Sequence, residues 1–258
     1  MTDPAKEFVS ARLKIKRAYR HIEELQKILS EFLKSDFCSM RVDQDAKTGQ
    51  ALIYVESNSA PPPEMSLIIG DAVHNLRTAL DHVIVQILGE RGNRASFPIA
   101  KERDNLGAHP TYAKIKEVLP DLAALILEKI RIHDTGEPSI WALGAIDNID
   151  KHNLLVGVVS IQELNGFGVK NERQNIVVEN NRVTIGENGR LNFAKMPGPI
   201  KITNKGKATA QILFDKGQPL EGKLIIQSLN GMAQLTSQAV DTLEAFWFGQ
   251  RHGGAAIK

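Results

Sequence analysis

Between Glu64 and Leu88 the chain reads EMSLIIGDAVHNLRTALDHVIVQIL. Met65, Ile69, Ala72, Val73, Leu76, Ala79, Leu80, Val83 and Ile87 recur at three- and four-residue steps, so they share one side of a helix with 3.6 residues per turn. Asp71, His74, Asn75, Thr78, Asp81 and His82 fall within a strip of roughly 120° on the other side, with Arg77 at its flank. From Ser66 to Gly89 there is no Lys and no Glu, the residues that ordinarily coat a solvated helix face. The strip is built instead from short hydrogen-bonding groups, which suits a cleft or a partner better than bulk water.

The neighbouring segments set this helix in an α+β chain. Asp3 as N-cap and Pro4 at the first helical position predict the start of a long helix, whose stripe runs from Phe8 through Ala11, Ile15, Ala18, Ile22, Leu25 and Leu29 to Phe32. Residues 37–56 alternate around a Lys47-Thr48-Gly49 turn and predict a β-hairpin, closed by Pro61-Pro62-Pro63. Gly89 and Gly92 stop the Glu64–Leu88 helix. Short helices are expected over Thr111–Leu119 and Asp121–Ile132, split by Pro120, and over Ser139–Asp150 behind Pro138.

From Leu154 the texture is β. Leu154–Ile161, Asn175–Glu179, Arg182–Ile185, Leu191–Ala194, Ile200–Thr203, Ala208–Phe214 and Lys223–Gln227 read as short strands. Asn180-Asn181, Gly186–Gly189, Pro197-Gly198-Pro199 and Gly217–Pro219 read as turns between them. Met232, Leu235, Ala239, Leu243, Phe246 and Trp247 make a closing helix, frayed from Gly253-Gly254. The expected architecture is a bundle of about five helices over residues 1–153, with the hairpin inside it. An antiparallel insert follows over 154–228, and a helix over 229–250 returns to the bundle.

Thirty-two Lys and Arg against thirty Asp and Glu give a formal charge of +2, which argues against a strongly basic nucleic-acid coat or an acidic tail. Cys38 is the single cysteine, so an intramolecular disulfide and a paired-thiolate zinc site are excluded and a reducing, cytoplasmic setting is expected. No apolar run approaches a membrane span and Met1–Lys6 carries no apolar signal core, so neither export nor membrane insertion is expected. Phosphate-loop and dinucleotide-fold glycine motifs are missing, which disfavours nucleotide-driven motors and nicotinamide dehydrogenases.

The spacing of Arg77 and His82 resembles the Arg-x4-His arrangement of the HEPN superfamily of helical ribonucleases, and the match covers the helices only. Thr78 stands where that pattern most often has a polar residue such as Asn. The resemblance implies RNA cleavage without a metal or other cofactor, at a site on a homodimer interface. It implies that Arg77 holds the scissile phosphate and that His82 exchanges a proton with the attacking or leaving oxygen. Asp71, His74, Asn75, Thr78 and Asp81 would support them from the strip. Asn148, Asp150, Lys151 and His152, at the end of a later helix, would complete the site from the opposite side. The strings GDAVHNLRTALDH (70–82) and NIDKH (148–152) also resemble a group of bacterial proteins over most of the chain, a likeness that implies no activity.

Three other readings compete. The strip can be a buried polar layer that fixes helix register, which needs every group hydrogen-bonded. It can hold a metal for a hydrolase through Asp71, His74, His82 and Asp150 or His152, although no HExxH pattern is present. It can line the groove of a non-catalytic binding module. Elsewhere, Arg12, Lys14, Lys16, Arg17 and Arg20 read as a solvated helix face before a nucleic-acid track. Trp141 and Trp247 read as core, His109 and His133 as incidental loop residues, and Cys38 as lacking an activating base.

Overall fold

The computed structural model describes residues 8–92, 94–130, 132–134, 139–153, 155, 157–184 and 190–252. The expected helix start at Asp3-Pro4, the Gly186–Gly189 turn, Pro138 and Gly253-Gly254 lie outside the described residues. The chain mixes α and β and divides into two compact units, one of residues 1–26, 66–156 and 216–258, the other of residues 27–65 and 157–215.

The helical unit holds most of α1 (Val9–Lys34) and α2 (Pro63–Leu88). It also holds α3 (Pro110–Val118), α4 (Pro120–Lys129), α5 (Ile140–Asp150) and α6 (Ile225–His252). The expected apolar side of α2 is its core face: Ile69, Ala72, Val73, Leu76, Ala79, Leu80, Val83 and Ile87 are all buried. Each such Leu or Ile contributes about 1.5–3 kcal/mol by leaving water. Ile15, Ala18 and Ile22 of α1, Leu122 and Ile126 of α4, Leu143 and Ile146 of α5, and Met232, Val240 and Leu243 of α6 are buried as well. Leu119, at φ −143 and ψ 67, leaves the helical region between α3 and α4, as the residue before a proline is driven to do. The Phe8 N–H donates to the Gln86 side chain of α2 at 2.9 Å, and the Phe8 ring meets Phe248 of α6 edge-on at 6.2 Å.

The other unit holds two three-stranded antiparallel sheets, ordered β1-β2-β5 and β4-β3-β6. Their strands are β1 (Cys38–Asp45), β2 (Gln50–Ser57), β3 (Gly157–Asn171), β4 (Ile176–Thr184), β5 (Arg190–Pro197) and β6 (Ile200–Phe214). The hairpin forms as expected, with Met40 opposite Val55 and Asp45 opposite Gln50. It is not self-contained, because β5 pairs along the free side of β2, so hairpin and later strands share one compact unit. Gln44 Nε2 donates to the Ile200 carbonyl at 2.9 Å and Asn171 Nδ2 to the Pro197 carbonyl at 2.8 Å, bonds that tie the two sheets together.

Two of the expected breaks are continuous strand, and one expected strand is helix. Asn180-Asn181 lies inside β4, where a register irregularity near Phe167 and Asn181 absorbs it. Ile200–Thr203 and Ala208–Phe214 belong to one strand, because Gly206, at φ 70, passes through the left-handed region without leaving the ladder. A Cβ there would come within 2.7 Å of the Asn165 carbonyl, so the strand needs glycine rather than a turn. Lys223–Gln227 is not a strand: α6 begins at Ile225, and Ile225, Leu229 and Met232 are buried at helical spacing.

Candidate functional site

A cleft of about 480 Å³ opens in the helical unit, between one face of α2 and one face of α5. The α2 side is His74, Arg77, Thr78 and Asp81, spaced at three and four residues. The α5 side is Trp141, Gly144, Ala145, Asp147, Asn148 and Lys151. Ser96, Ile99, Lys101 and His109 close it from the segment between α2 and α3. Ser139 caps α5 by accepting from the Ala142 N–H at 3.1 Å. Two glycines allow the close approach of these elements. A Cβ at Gly70 would overlap the Asp150 carboxylate, and one at Gly144 would sit 3.0 Å from Ile99 Cδ1.

Two polar networks occupy the cleft. In the first, His74 Nδ1 meets Asp147 Oδ1 at 3.1 Å, Lys151 Nζ meets Asp147 Oδ2 at 2.6 Å, and Thr78 Oγ1 lies 3.4 Å from His74 Nε2. The Asp147 side chain is 4% exposed while that of His74 is 56% exposed, so a buried carboxylate holds an imidazole that reaches solvent. In the second, Arg77 donates to Asp81 Oδ1 at 2.6 Å and to the Phe97 carbonyl at 3.0 Å, and the Phe97 N–H donates back to Asp81 Oδ1 at 2.6 Å. This closed set anchors the segment after α2 to the helix.

Burial drives the titration shifts. It raises the Asp81 carboxyl above the usual range despite the opposing Arg77 charge. It raises Asp150 as well, followed in size by repulsion from Asp147 and Asp71. The His109 imidazole is pushed down, first by burial and then by the Arg77 charge, with Asp81 opposing.

Arg77, His74, Thr78, Asp81, Asn148 and Lys151 thus line one cleft. His82 is not among the residues lining the cleft; its Nδ1 is buried with no hydrogen-bond partner. Asp71 is exposed, and its carbonyl accepts from Asn75 Nδ2 at 2.7 Å. Asp150 packs over Gly70, and His152 is exposed in the turn after α5. Trp141, read as core, is half-buried and lines the cleft, and so do Lys101 and the loop residue His109. No spacing rule points to Lys101 or His109, because loop closure brings them in from outside any periodic element. Among the described residues no three of His, Cys, Asp and Glu are grouped so as to hold a metal ion, which leaves the metal-hydrolase reading without a ligand set there. Cys38 is partly buried in β1, and burial followed by Asp36 pushes its thiol up to about 11, far from the reactive thiolate range. Among the described residues no helix is long and apolar enough to cross a membrane. Compared with known proteins, the chain matches no family model, no curated protein and no solved structure.

Proposed function

We propose that the protein is a metal-independent ribonuclease acting from the cleft between α2 and α5, through a different histidine from the one the HEPN resemblance points to. The observation that carries this is the half-exposed His74 imidazole held by the buried Asp147 carboxylate beside Lys151. RNA brings its own nucleophile, the 2′-hydroxyl, so its cleavage asks the protein only for proton transfer and for positive charge at the phosphate. Asp147 accepts from Nδ1 of His74 and leaves Nε2 as the atom that exchanges the proton. Lys101 and Lys151, the latter paired with Asp147, supply cations at the cleft wall. Arg77 lends its charge from a guanidinium already committed to Asp81 and Phe97, so it positions and polarises more than it grips.

His74, not His82, is the proton-transfer group of this proposal, because His74 shares a face with Arg77 and Thr78. The bundle of about five helices, the homodimer and the cytoplasmic setting that the resemblance and the composition imply belong to the same proposal. The register-fixing alternative retains one specific observation in its favour, the closed Arg77, Asp81 and Phe97 network, which reads as structural.

The test is cleavage of single-stranded RNA by wild type, His74→Ala and His82→Ala, with and without a chelator. His74→Ala should lose about 100-fold or more in rate, the usual share of an acid–base group. His82→Ala should stay near wild type if it folds, and chelation should change nothing. Equal residual cleavage by wild type and His74→Ala would sink the assignment, and loss of wild-type activity on chelation would revive the metal reading.

A further inference from the structure

We infer that His109 is the second proton-transfer group of this cleft, taking the proton of the attacking hydroxyl while His74 supplies one to the leaving oxygen; this rests on the ribonuclease reading. Internal cleavage of RNA moves two protons. The 2′-hydroxyl oxygen bonds to phosphorus and gives up its proton to a base, the bond from phosphorus to the 5′-oxygen breaks, and that oxygen takes a proton from an acid. The products are a 2′,3′-cyclic phosphate and a 5′-hydroxyl, and both atoms and charge balance without a further reactant. With two imidazoles in the site, each proton can have its own group.

His109 and His74 are the histidines that line this cleft, and they reach it from different elements. His109 sits at the N-cap of α3, where Ser, Thr, Asp and Asn are favoured because their side chains bond the first free amides. Its side chain makes no such bond. The backbone alone does the work there, with the His109 N–H donating to the Leu106 carbonyl at 3.0 Å and its carbonyl accepting from Ala113 at 3.0 Å. His109 lines the cleft, with Nδ1 buried and unpartnered. Arg77 and Asp81 of α2 face this imidazole, and Lys101 lines the same wall. Burial and the Arg77 charge together favour its neutral form, the form a base requires. His74, engaged with Asp147 through Nδ1, presents Nε2 for the leaving oxygen.

The proposal is tested with the full chain and two substrates of one nucleoside, a uridylyl-adenosine dinucleotide and uridine 3′-(4-nitrophenyl phosphate). Both present the same 2′-hydroxyl, but nitrophenolate leaves without needing a proton. His109→Asn is the informative variant, since Asn is a good N-cap and should leave the melting temperature equal to or above wild type. It should nevertheless lose about 100-fold on both substrates. His74→Ala should lose as much on the dinucleotide and recover to near wild type on the aryl ester. A folded His109→Asn with wild-type rates would overturn the assignment and leave the ribonuclease reading standing. Recovery of His109→Asn, rather than His74→Ala, on the aryl ester would overturn it by reversing the roles. A wild type inert on both substrates would overturn the ribonuclease reading and the assignment together. His109→Gln, which keeps side-chain bulk in the cleft, serves the same comparison if the Asn variant melts lower.

Discussion

Asp150, packed over Gly70, shows how much a single side chain depends on its surroundings. Its carboxyl is raised by burial and by the negative charges of Asp147 and Asp71, so folding favours its protonated form. A raised acid stabilises the fold fully below its ordinary value of 3.8, and that contribution is lost as pH rises through the higher folded value. Asp150→Asn removes the titration at constant size. Its melting temperature relative to wild type should therefore be more favourable at pH 7 than at pH 4, and an unchanged or reversed difference would refute this. The same scale explains what could be read of the site beforehand. Arg77 and His82 are five residues apart, roughly 140° on an unbroken helix, so α2 turns them to different sides. His74, Arg77, Thr78 and Asp81 step by three and four and share the cleft face. The wheel already held that division, since Arg77 lies at the flank next to Asp81 while Asp71, Asn75 and His82 lie at the far edge. What no wheel contains is the partner of His74, because Asp147 is 73 residues away and only the packing of α5 on α2 supplies it.

At the scale of elements, the close approach of α2 and α5 depends on Gly70. Gly70 is an unfavourable helix residue by about 1 kcal/mol relative to Ala, yet a Cβ there would overlap the Asp150 carboxylate. Gly70→Ala alone should destabilise the protein, because overpacking at about 1–3 kcal/mol exceeds the gain in helix propensity. In an Asp150→Ala background the obstacle is gone, and the same change should stabilise by up to about 1 kcal/mol. Chemical denaturation of the four proteins of that cycle measures the sign change; an additive cycle would show that the carboxylate is not what Gly70 accommodates. The helices were legible because their apolar faces are long and their breaks are proline or glycine, as at Pro120 and Gly89. The strands were less so. Gly206 and Asn180-Asn181 carry turn chemistry, but pairing of β3 with β4 and β6 keeps both places inside continuous strands. The pairing of β5 with β2 joins residues near 50 to residues near 195, and alternation within either segment says nothing about such a neighbour.

For the molecule as a whole, a formal charge of +2 would leave the proposed RNA binding to local cations rather than to a general positive field. Arg12 is committed to Asp241 and Glu244, and Arg77 to Asp81 and the Phe97 carbonyl. Lys101 lines the cleft, and Lys151 lines it while sharing the buried Asp147 with His74. Two phosphate contacts by these lysines should give a log–log dependence of affinity on salt with a slope of about −1.4, at roughly 0.7 per neutralised phosphate on a single strand. Were Lys14, Lys16, Arg17 and Arg20 of α1 also to track the backbone, six contacts would steepen the slope to about −4. Titration of a short single-stranded RNA into the His74→Ala variant, with its cleavage suppressed, distinguishes the two by the slope between low and physiological salt. Lys151→Ala should lower the magnitude of the slope by about 0.7, whereas Lys16→Ala should leave it unchanged. A slope near −4 that Lys16→Ala reduces would move RNA binding out to α1, and with it the reason for placing the phosphate beside His74.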